Sequence, residues 1–146
     1  MRTLVVVCVL MLVYAESAIG TNKTGSGQII CQQSKSGITG PELIDCVELC
    51  GHKSYANMND TEACDSLTCA GYACNAVNDK KGIDILKVMN MCKSCVTPPT
   101  NQMKCLINTI YCYQEIACLQ EDTQSNIKKF FQCVVKLKTM DYVDKE

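Results

Sequence analysis

Cysteine is the residue type with the most chemical potential in this chain. Thirteen of the 146 residues are cysteine, whereas histidine occurs once, at His52. Thiols form disulfides, exchange disulfides with other proteins or bind zinc. Cys92-Lys-Ser-Cys95 has the C-x-x-C spacing of exchange motifs. A four-thiolate zinc site is the third possibility, and five closely spaced cysteines would supply it: Cys64, Cys69, Cys74, Cys92 and Cys95.

The N-terminus favours the first of these three chemistries because it indicates an oxidising compartment. One arginine precedes an apolar run over Leu4 to Tyr14 and a small-residue region over Ala15 to Gly20, a pattern typical of a secretory signal peptide. We predict cleavage after Gly20, with Ala15 and Ser17 as alternatives. The run is shorter than the ~20 residues that a transmembrane helix needs, so we predict no membrane span and a secreted, extracellular protein.

Removal of a signal peptide at residues 1–20 also removes Cys8 and leaves an even number of cysteines in the mature domain, residues 21–146. An even set in a secreted chain predicts disulfides throughout, here six bridges with no free thiol and no metal or other cofactor. Each bridge contributes ~2–4 kcal/mol to stability. The twelve cysteines are Cys31, Cys46, Cys50, Cys64, Cys69, Cys74, Cys92, Cys95, Cys105, Cys112, Cys118 and Cys133.

The polar segment Asn78 to Gly82 is the best candidate for a linker, since it is rich in turn-forming residues. A division at Lys80-Lys81-Gly82 leaves six of the mature cysteines on each side. We therefore consider two lobes, residues 21–79 and 82–146, with three bridges each. Lys80-Lys81 is alternatively a dibasic processing site.

Helical patterns dominate the first half of the mature chain, and no alternating strand is evident. Thr39-Gly40-Pro41 predicts the start of one helix, which ends at Gly51. Asn59 predicts the start of a second, which runs to about Cys69 and ends before Gly71. We expect a break or short turns there because the steps of five from Cys64 to Cys69 to Cys74 do not stay on one helical face.

Three more helices are expected in the second half. Asp84 caps the first, which ends at Pro98-Pro99, and Thr100 or Asn101 begins the next. Two apolar stripes on this next helix predict contact from more than one side. A last helix begins between Asp122 and Ser125. The predicted fold is all-α, a small disulfide-rich bundle of four to five short helices. The two stripes are Met103, Leu106, Ile110, Tyr113 and Ala117, and Cys105, Cys112, Ile116 and Leu119.

Catalytic patterns are weak, so we predict that the protein is not an enzyme. Cys50-Gly51-His52 resembles the helix of secreted phospholipases A2, in which an aspartate follows the histidine, but Lys53 stands at that position here. No Ser-His-Asp arrangement, carboxylate pair or phosphate-binding loop is recognisable. The nearly balanced charge of −1 also argues against a nucleic-acid partner.

Two surface features remain as candidate sites. Sequons at Asn22 and Asn59 predict N-glycosylation. The last helix combines an apolar stripe with basic residues, a pattern suited to an acidic receptor or an anionic membrane surface; the alternative is that Phe130 and Phe131 fill the core and the lysines form a solvated rim. The basic residues are Lys128, Lys129, Lys136 and Lys138.

Three function classes fit a rigid, crosslinked chain without site chemistry. We favour a secreted recognition protein, such as a toxin, pheromone or other effector, whose partner is an extracellular protein. The second class is a carrier of a small apolar ligand: the spacing Cys46-x-x-x-Cys50 is similar to that of twelve-cysteine insect odorant-binding proteins, although the spacings after Cys92 differ. The third is a structural protein of an extracellular matrix or secretion.

Overall fold

A computed structural model describes residues 37–146, so the predicted signal peptide, Asn22 and Cys31 lie outside the described residues. This part of the chain is mostly helical, in agreement with the predicted fold class. Between the second and third helices lies a two-stranded antiparallel ribbon. The elements are α1 (Gly40–Gly51), α2 (Asp60–Ala73), β1 (Val77–Asn78), β2 (Gly82–Ile83), α3 (Ile85–Cys95), α4 (Pro99–Ala117) and α5 (Thr123–Lys136), with short 3-10 turns at Tyr55–Asn57 and Thr139–Tyr142.

Four of the five predicted helix starts are confirmed, because each of these four is set by a local capping residue. At α1 the Thr39 hydroxyl accepts a hydrogen bond from the Glu42 amide, and the Glu42 carboxylate accepts one from the Thr39 amide at 3.0 Å. Asn59 and Glu62 form the same reciprocal arrangement at α2. The side chains of two aspartates cap α3 and α5: Asp84 and Asp122.

The break expected at the end of α2 is absent, and this prediction is wrong. The helix continues through Gly71 to Ala73. A Cβ atom on Gly71 would lie 2.7 Å from Val77 Cγ2 and 2.9 Å from Phe131 Cζ. Gly71 therefore permits the close approach of α2 to β1 and α5, and does not end the helix.

A short two-stranded ribbon, for which the sequence shows no alternating pattern, accompanies the helices. Val77 pairs with Ile83 and Asn78 with Gly82 in an antiparallel ribbon. The Asn78 Oδ1 atom accepts hydrogen bonds from the amides of Lys80 and Lys81, which orders the tip. Strands of two residues are too short to show alternation in a sequence, and the predicted linker is in fact the turn of this ribbon.

One hydrophobic cluster spans the described residues and includes side chains from both sides of the ribbon. Phe130 and Ile127 of α5 are among its most buried members, together with Val47 of α1 and Val96 after α3. The rings of Phe130 and Phe131 meet edge to face, with centroids 5.2 Å apart. α5 is therefore the central helix of the core.

Helix α4 is contacted from more than one side, as predicted, although part of its surface is exposed. It packs against α3, α5 and the 139–142 turn. Cys105, Cys112 and Ile116 of the second predicted stripe are buried, whereas Met103 and Ile110 of the first are exposed. Its start differs from the prediction, because Pro99 is its first residue and does not end α3.

Candidate functional site

Three disulfides have both cysteines within the described residues. They join α1 to α2, α3 to α4, and α4 to α5, with Cα separations of 5.6 to 6.0 Å. Two of the three therefore attach α4 to its neighbours, one near each end of that helix. None of the three connects the parts of the chain before and after the ribbon. The pairs are Cys50–Cys69, Cys92–Cys105 and Cys112–Cys133.

The prediction of six bridges without a free thiol is not met. Cys46 and Cys118 are also disulfide-bonded, but Cys64 and Cys95 are buried thiols. The Cys95 Sγ atom donates to the Ile38 carbonyl at 3.2 Å, and the Cys64 Sγ atom donates to a carbonyl of α5. Both thiols have thus become hydrogen-bonded parts of the core.

Burial disfavours the thiolate form of these cysteines. It raises the pKa of Cys95 to about 11. Burial, followed by the neighbouring Cys95, raises the pKa of Cys74 to about 12. Burial also raises the pKa of Cys64. Reactive cysteines have a lowered pKa and access to solvent, so these three thiols have the opposite properties.

The C-x-x-C and zinc interpretations are not supported by the pairing. Cys92 is bonded to Cys105 and not to Cys95, and Cys69 is bonded to Cys50. Among residues 37–146, no three histidine, cysteine, aspartate or glutamate side chains lie close enough together to hold a metal ion. His52 is exposed at the end of α1, where its backbone has a left-handed conformation with φ of 55°.

The lysines predicted as an interaction face are all exposed, while the apolar stripe beside them is buried. Ile127 and Phe130 point into the core, so the apolar face of α5 packs against protein. Lys129 forms an ion pair with Glu121. The structure thus places these lysines as a solvated rim around a core helix: Lys128, Lys129, Lys136 and Lys138.

An exposed apolar surface lies instead on α4. Met103 and Ile107 are 57% and 58% exposed, and Tyr111 is 52% exposed. Residues at i, i+4 and i+8 lie on one face of a helix, and Ile110 adjoins them. We call this surface the α4 stripe: Met103, Ile107, Ile110 and Tyr111. The spacing of Met103, Ile107 and Tyr111 could have revealed it from sequence, but Ile107 and Tyr111 belong to neither predicted stripe.

A groove of about 460 Å³ between α4 and α5 adjoins the stripe at Tyr111. Leu119 and Leu137 provide apolar walls, Lys129 and Lys136 provide positive charge, and Glu115 provides one negative charge. Two ion pairs form among residues 37–146, and Lys136 belongs to neither of them. The groove therefore joins apolar surface to a lysine that is available to an acidic group.

Asn59 is the sequon within the described residues, and it is exposed at the start of α2. Its Oδ1 atom accepts a hydrogen bond from the Glu62 amide at 2.9 Å. The Nδ2 atom, to which N-glycosylation would attach a glycan, takes no part in this bond. The capping interaction and the predicted modification therefore use different atoms of the side chain.

None of the helices in residues 37–146 combines the length and the apolar character needed to span a bilayer. Comparison with known proteins identifies no relative of the chain: no family model, no curated protein and no solved structure matches it.

Proposed function

We propose that this chain is a secreted, non-enzymatic recognition protein that binds an extracellular protein target through the α4 stripe. The observation that carries the proposal is the exposure of four large apolar side chains on one face of a single helix. Contiguous exposed apolar surface is a common feature of protein interaction sites. Secretion is part of the proposal and is supported by the disulfides, which persist in oxidising compartments.

The disulfides favour recognition because they fix the binding helix before the partner arrives. Cys105 attaches α4 to α3 near one end, and Cys112 attaches it to α5 further along. Three of the four stripe residues lie between these two positions, and Met103 lies two residues before Cys105. A helix held in this way loses little conformational freedom when it binds.

The groove beside the stripe indicates the chemistry of the partner. Tyr111 lies at the junction of the two, and tyrosine is enriched among residues that dominate binding energies. Lys136 at the edge, which forms no ion pair within the described residues, favours an acidic group on the partner. Such a group increases the association rate and orients the complex. We therefore infer a protein partner whose surface has an apolar centre and an acidic border. Such targets suit a toxin or another secreted effector.

Saturation binding tests this proposal. Labelled protein with its native disulfides is titrated onto membranes and extracellular fluid from its source tissue. Ile107→Asp should abolish saturable binding, because a carboxylate would have to be desolvated within an apolar interface. Leu49→Asp is the matched control: Leu49 and Ile107 are each 58% exposed, but Leu49 lies on α1. Equal binding by the Ile107→Asp and wild-type proteins, or no saturable binding by the wild type, would refute the proposal.

A further inference from the structure

The interior of the bundle contains a cavity of about 80 Å³, distinct from the α4 stripe and the groove. Side chains from all five helices, and from the segments after α3 and α5, contribute to its wall. Leu67 of α2 and Phe130 of α5 are typical of this wall, and Val96 and Met140 complete it between the helices. The cavity is thus built by the tertiary fold as a whole.

The wall provides few hydrogen-bonding partners for a water molecule. It contains two hydroxyl groups, on Thr109 and Thr139. The Thr109 hydroxyl lies 3.4 Å from Cys92 Sγ, which has no proton in the disulfide, so the hydroxyl donates. The Thr139 hydroxyl accepts from Asn108 Nδ2 at 3.2 Å. A buried water needs two to four polar partners, and cavities without them stay dry and accept apolar guests.

The structure also indicates a way into the cavity. Every residue of the wall is buried except Val88 and Met91 of α3, which are half-buried. Met91 also lines a surface pocket of about 140 Å³, together with Asn90 and Ser94. The unbranched side chain of methionine changes conformation readily. Met91 therefore separates the cavity from a pocket on the surface, and its movement would connect them.

We propose that the cavity is a binding site for one small, uncharged, apolar molecule that enters past Met91. Its size limits the ligand, because a dry cavity of about 150 Å³ accommodates benzene. A cavity of about 80 Å³ accepts a smaller guest, such as a xenon atom or a hydrocarbon of three or four carbons. This ligand site is independent of the protein-binding surface proposed above.

Xenon titration of the disulfide-bonded protein, followed by methyl NMR, tests the site. Saturable shifts are expected for the methyl groups of Val96, Met140 and Val143, which line the cavity. Benzene should produce no saturable shift at these groups. Linear xenon shifts, or saturable binding of benzene, would overturn the proposal.

Two buried alanines of α2 provide a matched pair of variants. Ala70 lines the cavity and Ala63 does not. Ala70→Val should weaken xenon binding about tenfold or more, while Ala63→Val should leave it unchanged. Val88 also lines the cavity and is half-buried, so Val88→Phe should likewise weaken xenon binding and provides a second variant if Ala70→Val does not fold. Wild-type xenon affinity in both Ala70→Val and Val88→Phe would contradict the proposed position of the site.

Discussion

Gly71 of α2 lies directly against the ring of Phe131 of α5. A Cβ atom at position 71 would come within 2.9 Å of Phe131 Cζ, which is closer than the two groups can approach without a shift. The contact brings together helices on opposite sides of the ribbon. Both residues also line the internal cavity.

Gly71→Ala should therefore destabilise the protein, although alanine favours a helix interior by ~0.5–1 kcal/mol over glycine. Overpacking costs ~1–3 kcal/mol, and we expect that cost to exceed the helix preference. Urea unfolding followed by circular dichroism measures the difference. Gln114→Ala, at an exposed position of α4, should change the free energy of unfolding by less than ~0.5 kcal/mol. A stabilised Gly71→Ala variant would show that α2 and α5 leave room for a methyl group at this position.

Removal of the Cys112–Cys133 disulfide should lower stability more than removal of a buried thiol. The double variant Cys112→Ala, Cys133→Ala loses a link between α4 and α5 across a sequence separation of 21, and we expect a cost of ~2–4 kcal/mol. Cys64→Ala removes a buried thiol but no crosslink and serves as the control. Chemical denaturation under non-reducing conditions measures the free energy of unfolding of both variants. Equal stability of the wild type and the double variant would contradict the assigned role of this bridge.

The buried thiols predict a decline of stability at alkaline pH. The unfolded Cys95 thiol ionises near the ordinary cysteine pKa of 9.0, and the folded one has a pKa of about 11. The unfolded state therefore binds fewer protons between these values, and the free energy of unfolding falls as pH rises from 9 to 11. Cys95→Ala should show a shallower decline over this range. If the free energy of unfolding of the variant falls with pH as steeply as that of the wild type, Cys95 does not contribute to the loss of stability at alkaline pH.

The same cysteines should resist alkylation in the native state. Cys64 and Cys95 are 4% and 1% exposed, and their pKa values are raised by burial. Iodoacetamide at about pH 8 should label neither one before unfolding and both after unfolding in denaturant without reductant. Peptide mass spectrometry identifies the labelled positions. Rapid labelling of Cys95 in the native protein would contradict the buried hydrogen bond to Ile38.

Asp79 should contribute an acid-sensitive link between the ribbon and the helices. Its Oδ1 atom accepts hydrogen bonds from the Tyr72 hydroxyl at 2.7 Å and from Gln124 Nε2 at 2.8 Å. The bonds from Tyr72 and then Gln124 lower the pKa of Asp79 below its ordinary value of 3.8. A lowered folded pKa means that this stabilisation is present above pH 3.8 and is lost as pH falls through the folded pKa. Asp79→Asn should reduce that acid dependence in thermal unfolding, and an identical pH profile would contradict this role.

Local signals made the helix starts predictable, whereas tertiary contacts determined the errors. Thr39 and Asn59 cap their helices through residues three positions away, so the sequence contains the whole interaction. The role of Gly71 depends on Phe131, sixty positions later in the chain, and cannot be recognised from neighbouring residues.

The candidate site was less predictable than the helices for a similar reason. Met103 and Ile110 of the α4 stripe were recognised as apolar positions of a helix, whereas Ile107 and Tyr111 were not. The exposure of all four depends on which side of α4 packs against α3 and α5. The basic face of α5 was also recognised from the sequence. It was interpreted either as an interaction face or as a rim of lysines around a helix whose Phe130 lies in the core. The even cysteine count predicted six bridges, and this was wrong because pairing depends on distances in the folded protein, which the sequence does not contain.

The lysine at the edge of the groove should affect the rate of binding. Lys136→Glu reverses a charge that belongs to neither ion pair of the described residues, so it should slow association with an acidic partner and change dissociation little. Surface plasmon resonance on the source-tissue fraction at two salt concentrations measures this. Lys128→Glu is the control, because Lys128 does not line the groove. An unchanged association rate for Lys136→Glu would contradict the inference that the partner has an acidic border.

Oxidative footprinting of Met103 tests the central claim most directly. Met103 is exposed on the α4 stripe, and Met140 is buried in the core, so peroxide should convert Met103 to its sulfoxide much faster in the free protein. Addition of the source-tissue fraction that contains the partner should protect Met103 and leave hydroxyl-radical labelling of the exposed His52 unchanged. Equal oxidation of Met103 in the free and bound protein would contradict recognition through the α4 stripe.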